Sequence, residues 1–235
     1  MTLPMAILAG GPATRLRPLT DAIPKSMVEV AGRPFLFHQL DWLREEGVKQ
    51  VVLCVGYLGE QIRAAVGDGA AFGLAVEYSF DGPHFMGTGG ALRRAVPMLG
   101  DAFFVLYGDS YLRCPFSDVE RAFHSAGKPA LMTVLENDGQ WDKSNVLFSR
   151  GRLVRYDKRN PLPEMRHIDY GLSVLRAGVF TPRGEDEVFD LADVLGVLSE
   201  RGELAGFEVR DRFYEIGSLA GLKETAEFLS RKGKR

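Results

Sequence analysis

Apolar residues in this chain fall into short unbroken runs that alternate with stretches repeating every three or four positions. Met5-Ala6-Ile7-Leu8-Ala9, Gln50 to Val55, Leu74 to Ser79 and Ala102 to Leu106 are the runs of the first half. Continuous apolar runs of this length predict strands buried on both faces. Between them the spacing predicts helices over Pro34 to Glu46 (Phe35, Leu36, Leu40 and Leu43 on one face), Gly59 to Val66 and Gly87 to Leu99, then Phe116 to Ser125. Pro34 suits the first turn of its helix and Gly47 is placed to stop it. From Ala130 the pattern changes. Four strand patterns follow in succession, Ala130 to Glu136, Asn145 to Phe148, Leu153 to Tyr156 and Ile168 to Leu175. A helix over Val188 to Arg201, a strand over Leu204 to Glu208 and a helix over Leu219 to Arg231 close the chain.

The first half therefore reads βαβαβαβ, which implies parallel strands with helices on both faces. The second half adds antiparallel strands to that sheet or beside it. No linker, repeat or low-complexity tract interrupts the 235 residues, so one domain over residues 1–235 is expected. In such sheets ligands lie beyond the carboxyl ends of the strands. Gly10-Gly11, Gly87 to Gly90 and Asp109 all follow strands or open helices, so they are expected on one rim.

Composition narrows the field. The formal net charge is −2 with 26% charged residues, which gives no reason to expect nucleic acid or an acidic membrane surface as partner. No apolar run approaches the ~20 residues of a membrane helix, and the first run is broken at once by Gly10-Gly11, unlike a signal peptide. Cys54 and Cys114 form no CxxC pair, so neither zinc nor a disulfide framework is expected and a cytoplasmic setting fits. The basic end, Arg231 to Arg235, reads as a solvated terminus.

Against this near-neutral background one charge cluster stands out. After the Gly pair a loop of roughly twenty residues carries Arg15, Arg17 and Lys25 against a single acid, Asp21. A strand that feeds a glycine turn and a cationic loop is suited to holding phosphates. The loop is neither a Walker A loop nor a dinucleotide fingerprint, because Gly-Lys-Ser/Thr and G-x-G-x-x-G are both absent. Asp109 ends an apolar strand, where a carboxylate can hold a hard cation such as Mg2+ or simply cap a turn. Glu215 lies between apolar residues just before a helix, and Lys158 follows a strand as an ordinary surface lysine would. No Ser-His-Asp or Cys-His arrangement is apparent, so a protein nucleophile is not expected.

Taken in order, these segments resemble the sugar-1-phosphate nucleotidyltransferases, also called NDP-sugar pyrophosphorylases. Leu8 to Met27 is similar to the signature L-x-G-G-x-G-T-R-L-x-P-L-T-x-x-x-P-K-x-M. Gly87-Thr88-Gly89-Gly90-Ala91 is similar to a second glycine segment against base and ribose, and Gly108-Asp109 to a metal segment. Tyr156-Asp157-Lys158 resembles a sugar-phosphate segment, and Tyr214-Glu215-Ile216-Gly217 the source of a second metal ligand. Short members acting on heptose 1-phosphate or N-acetylmuramic acid 1-phosphate are the most similar in layout.

The resemblance implies an α/β, Rossmann-like (GT-A-like) three-layer sandwich with a mostly parallel mixed central sheet. It implies transfer of a nucleoside monophosphate from an NTP to a sugar 1-phosphate, with Mg2+ as cofactor. It assigns catalytic roles to Arg15 and Lys25, and nucleotide binding to Leu8, Gly10, Gly11, Ala13, Thr14, Arg15, Gly87, Thr88 and Gly89. Asn145, Asp157, Lys158 and Tyr170 are implied at the sugar phosphate, and Asp109 and Glu215 at the metal. Oligomeric state stays open, a homodimer included. Three departures stand out: Ala13 replaces a signature Gly, Glu215 replaces an Asp, and Asp81 to Met86 lacks the Gln or Glu that relatives use to read the base. A GT-A glycosyltransferase would want a second acid after Asp109-Ser110, and a non-catalytic sugar-nucleotide sensor would tolerate loss of Arg15, Lys25 or Asp109, all of which are present.

Overall fold

The structure is a computed structural model that describes residues 3–11, 14–137, 139–141, 143–184 and 186–232. The first half contains β1 (Met5–Leu8), β2 (Glu29–Val30), β3 (Arg33–Pro34), α1 (Phe35–Glu45), β4 (Gln50–Val55), α2 (Gly59–Val66), β5 (Ala75–Phe80), α3 (Gly87–Leu99) and β6 (Ala102–Tyr107). The second contains β7 (Ser110–Tyr111), α4 (Phe116–Ala126), β8 (Ala130–Glu136), β9 (Val146–Ser149), β10 (Arg152–Tyr156), β11 (His167–Arg176), α5 (Leu191–Glu200), β12 (Leu204–Val209), β13 (Tyr214–Glu215) and α6 (Leu219–Lys232). Every long element expected from the apolar pattern is present.

The central sheet is mixed. Strands β5, β4, β1 and β6 lie side by side and parallel, and β11 then pairs antiparallel with β6. β11 is long enough to pair with β8 along its other edge and to meet β9 at His167. β12 runs parallel to β8, and β10 antiparallel to β9. Alternating side chains of β1 feed two cores. Met5 and Ile7 join Leu36, Leu40, Ile62, Phe116 and Leu229, under α1, α2, α4 and α6. Ala6 joins Leu92, Ala95 and Leu195, under α3 and α5. This is the three-layer sandwich that the resemblance implied.

Two boundaries differ from the spacing. Pro34 lies just before α1 rather than in its first turn, because it pairs with Glu29 in a two-residue ribbon. The helix expected from Val188 starts at Leu191. Residues 187–190 stay extended because Phe189 O accepts the amides of Gly89 (2.9 Å) and Gly90 (3.3 Å) at the start of α3.

The order β4-β1-β6 is what positions the site. From β1 the chain moves outward to β4 and β5, then returns to lay β6 on the other side of β1. Connections therefore leave the carboxyl ends of β1 and β6 in opposite directions and a crevice opens between them. Phe104, fully buried on β6, stacks on Phe116 of α4 with ring centroids 5.3 Å apart. Phe104→Ala should lower unfolding free energy by about 3–5 kcal/mol. Urea titration followed by circular dichroism reads this, and a loss below about 1 kcal/mol would contradict the central place given to β6.

Candidate active site

Two cavities meet over the β1/β6 crevice and share Tyr107 and Asp109 as a common wall. The first, about 170 Å³, is lined by Leu8, Gly10, Gly11, Lys25, Gly87 and Thr88 among others. The second, about 580 Å³, is lined among others by Arg15, Asn145, Lys158, Asp169, Tyr170 and Glu215. The rim expected from the sequence is thus one continuous site with a small and a large compartment.

The cationic loop is not loose. Buried Leu16 and Thr20 plug it into the body. Tyr57 donates its hydroxyl to Asp21 O (2.8 Å), and Gln61 donates to Ala22 O (3.1 Å), which ties the loop to α2. The loop re-enters the site through a short 3-10 turn, Lys25–Met27. There the Lys25 ammonium contacts Asp109 Oδ2 at 2.5 Å, with the lysine side chain only 17% exposed. Asp109 Oδ1 accepts the Ser110 hydroxyl (3.2 Å). Arg15 is exposed and faces the larger compartment.

The turn that carries Asp109 is held from below by a residue that the sequence did not mark. Gln39 of α1 is fully buried, and its amide donates to Tyr107 O (3.1 Å) and Ser110 O (2.7 Å). These carbonyls would otherwise end a strand without partners, which costs more than the bonds gain. A lone Gln on an apolar helix face is the only signal that could have found it.

The two expected metal carboxylates come from a ribbon too short to be seen in the sequence. β7 and β13 pair antiparallel with Ser110 opposite Glu215, and Ile216 N donates to Asp109 O (2.9 Å). Glu215 Oε2 accepts Gly217 N (2.5 Å) and Oε1 accepts the Ser218 hydroxyl (3.1 Å). A Cβ built on Gly217 would contact both the Glu215 carboxylate and the Lys25 ammonium, so the lysine lies beside both acids. Among the described residues no cage of three His, Cys, Asp or Glu side chains forms. A hard cation here would need its remaining ligands from substrate and water, as Mg2+ commonly takes them. The donor set fits that ion: Asp109 directly precedes β7, Glu215 lies on the paired β13, and a cation of this protein already sits against Asp109.

The second glycine segment divides in role. Gly87 and Thr88 line the small compartment, whereas Gly89 packs against the Phe189 ring, where a side chain would collide. Thr88 Oγ1 accepts Leu191 N (2.8 Å) and donates to Asp190 (3.3 Å), so it also caps α5. Thr14 is exposed and is not among the lining residues, and Ala13 lies outside the described residues.

On the sugar side, Lys158 and Asn145 line the large compartment. Asp157 does not. Its Oδ1 accepts the amides of Arg159 (3.1 Å) and Asn160 (2.8 Å), and these bonds, the Asn160 one foremost, hold its carboxyl below the usual range. The Tyr170 ring lines the compartment, but its hydroxyl accepts Arg113 N (2.9 Å). Asp169, next to it, is an acid that the sequence pattern did not single out. It lines the compartment, accepts Gly171 N on one oxygen (2.9 Å), and burial pushes its carboxyl up despite nearby Lys158. Arg212 and Trp141 were also missed. The Arg212 guanidinium lies over the Trp141 and Tyr214 rings and pairs with Glu224 (2.6 Å) along the same wall.

The geometry describes a crevice of two compartments, with Lys25 on the wall of one and Arg15 and Lys158 on that of the other. The nucleotidyl transferase family pattern matches residues 5–142. The chain is 30% identical to the N-acetylmuramate alpha-1-phosphate uridylyltransferase of Neisseria meningitidis serogroup B over 93% of this chain and 94% of that protein. It is 34% identical to a glucose-1-phosphate thymidylyltransferase of Streptomyces antibioticus over 75% of this chain, a stretch that spans only 49% of that longer protein. The crystal structure of HddC from Yersinia pseudotuberculosis superposes with a TM-score of 0.81 at 23% identity, covering 97% of this chain and all of that one, which speaks for the fold. No helix among the described residues is long and apolar enough to cross a membrane. The chain belongs to the nucleotidyl transferase family, among its sugar-1-phosphate nucleotidyltransferases.

Proposed function

We propose that the small compartment takes the base and ribose of an NTP, and the large one a sugar 1-phosphate of the heptose or amino-sugar type. A sugar-phosphate oxygen attacks the α-phosphorus, the α–β bridging bond breaks, and pyrophosphate leaves with both electrons of that bond. The attacking oxygen is already anionic, so no protein base is needed. The observation that carries this reading is the shared wall: Asp109, with Lys25 bonded to it, stands between the two cavities. The reacting phosphates must meet there.

Bringing two polyanions together is the difficulty. Two unit charges ~4 Å apart repel by about 1 kcal/mol in water and about 4 at an effective dielectric of 20. Lys25 lies where charge builds at the α-phosphate, Arg15 holds the departing phosphates, and Lys158 holds the sugar phosphate. The amides of Gly10 and Gly11 orient the nucleotide. Asp109 and Glu215 would hold Mg2+, which supplies charge neutralisation across nucleotide and sugar phosphate. Positioning supplies much of the remaining barrier reduction. The rings of Trp141 and Phe213 (centroids 6.1 Å apart, planes 59° to one another) offer apolar faces for a sugar ring. The family's activity needs soluble substrates only, which agrees with a cytoplasmic enzyme, as a monomer or a homodimer.

The first test is pyrophosphate release in a screen that crosses GTP, CTP, UTP, dTTP and ATP with a panel of sugar 1-phosphates. Release should need both substrates and divalent metal, and tight NDP-sugar binding with no turnover would instead favour a sensor. Arg15→Ala and Lys25→Ala should each lower kcat by about 10²–10³-fold, with the unfolding midpoint of Arg15→Ala unchanged. Near wild-type turnover in either would remove the assigned role.

A second prediction follows from the contact between Lys25 and Asp109. The ammonium competes with a divalent ion for that carboxylate, so Lys25→Met should tighten Mn2+ binding to the nucleotide-free protein. Electron paramagnetic resonance of free Mn2+ reads this directly. Unchanged or weaker Mn2+ affinity would mean that Asp109 is not a metal ligand.

A further inference from the structure

Helix α1 reaches both sides of the contact between Lys25 and Asp109, although none of its residues lines either compartment. Its first residue, Phe35, donates its amide to Val28 O (3.0 Å), and His38 donates through Nε2 to Val30 O (2.8 Å). These bonds hold the segment that follows the Lys25–Met27 turn, and α1 packs against that turn itself. One residue further on, Gln39 holds the other side. Its amide nitrogen donates to Tyr107 O and Ser110 O, the carbonyls that bracket Gly108-Asp109. Gly108 N also donates to Leu8 O (3.0 Å) and Ile216 N to Asp109 O (2.9 Å), but each of those bonds fixes the turn at one point. Those of Gln39 fix it before and after the aspartate.

The amide has no other task. Gln39 is fully buried, and its Oε1 has no hydrogen-bond partner among the described residues. Both donors of the side chain go to one turn, and the buried acceptor is left unanswered at a cost. Resting on the reading of Asp109 and Glu215 as metal ligands, we propose that Gln39 is a positioning residue for nucleotidyl transfer. Acting through the Gly108-Asp109 turn, it registers the Asp109 carboxylate against Glu215 and Lys25 and so sets how tightly a divalent ion is held. Without it the turn stays tied at Gly108 N and Asp109 O, so the fold persists, but the peptide planes on either side of Asp109 are free to tilt. Among the described residues no third acid, histidine or cysteine joins the two carboxylates to correct such a tilt. Groups that orient a metal ligand from behind govern affinity for this reason.

Two variants test the proposal. Gln39→Met keeps the length of the side chain and removes both donors, and Gln39→Asn keeps the amide but withdraws it by one methylene. Electron paramagnetic resonance of free Mn2+ is read in the Lys25→Met background, where the ammonium no longer competes. Either added change should weaken Mn2+ binding by about 10- to 100-fold relative to Lys25→Met alone. In protein that keeps Lys25, the Mg2+ concentration for half-maximal pyrophosphate release should rise by a similar factor. A merely structural Gln39 would lower the unfolding midpoint and the active fraction while leaving Mn2+ affinity and Mg2+ dependence as they were, and that result overturns the proposal. Should Gln39→Met fail to fold, Gln39→Asn carries the same comparison. Mn2+ bound by Lys25→Met and indifferent to Gln39 overturns this inference alone. Mn2+ bound by neither wild type nor Lys25→Met overturns the metal reading with it.

Discussion

Laying β6 beside β1 on the edge that β4 leaves free is the constraint from which the site follows. It sends consecutive connections to opposite sides, so that the two chains part beyond the last bond between them, Gly108 N to Leu8 O (3.0 Å). Leu8 to Gly11 leave one lip of the opening, and Gly108 with Asp109 leave the other. The separation has a cost, since strand-end carbonyls need partners. Gln39 meets two of them with one amide, from a helix that is otherwise apolar on that face. The site's floor is fixed by the sheet and α1, whereas Arg15 and Lys25 come from a long loop anchored by Leu16, Thr20 and side-chain bonds from the α2 region.

Charge explains why the floor and the loop meet where they do. Asp109 directly precedes β7 and Glu215 lies on the paired β13, and like charges brought near one another repel unless a cation intervenes. In the structure the cation is Lys25. On the proposed reading the same arrangement would serve a divalent ion and a phosphate together: the acids would suit the metal, and the freed ammonium the anion. The neighbouring Tyr107 phenol adds no charge, for burial pushes it well above its ordinary value and keeps it neutral.

Much of this was legible in the sequence, for identifiable reasons. Strands β1, β4 and β6 are continuous apolar runs, so no competing pattern obscures them. The cationic loop is visible because its charges stand against a neutral background. What escaped notice is either short or conditional. The β7/β13 ribbon has two residues per strand and no periodicity, yet it alone sets Glu215 beside Asp109. Asp169 and Tyr170 are adjacent at the register shift of β11, and Gly171 at φ +99° bends the chain there. That bend brings both residues to one cavity while turning the tyrosine hydroxyl away to Arg113, which simple strand alternation does not foresee. Asp157 has the opposite history: its place in a motif marked it, and a local turn claimed both of its tasks.

The division into two compartments bears on how such a fold can change substrates. On the proposed reading, residues at the shared wall would answer the phosphates that every NTP and every sugar 1-phosphate brings. What differs between substrates would fall to the far walls, lined by Asp81 and Phe85 on one side and Trp141, Asp169 and Arg212 on the other. The far walls rest on separate parts of the molecule. Asp81 depends on the end of β5 and on two glycines, whereas Arg212 depends on Glu224 of α6 and on the rings beneath it. Changes at one wall therefore need not disturb the other, because they share no hydrogen-bonding partner and effects at separate sites add. The shared wall has no such freedom: Lys25, Asp109, Ser110 and Gln39 hold one another through direct bonds, so a change at any of them is felt by the rest.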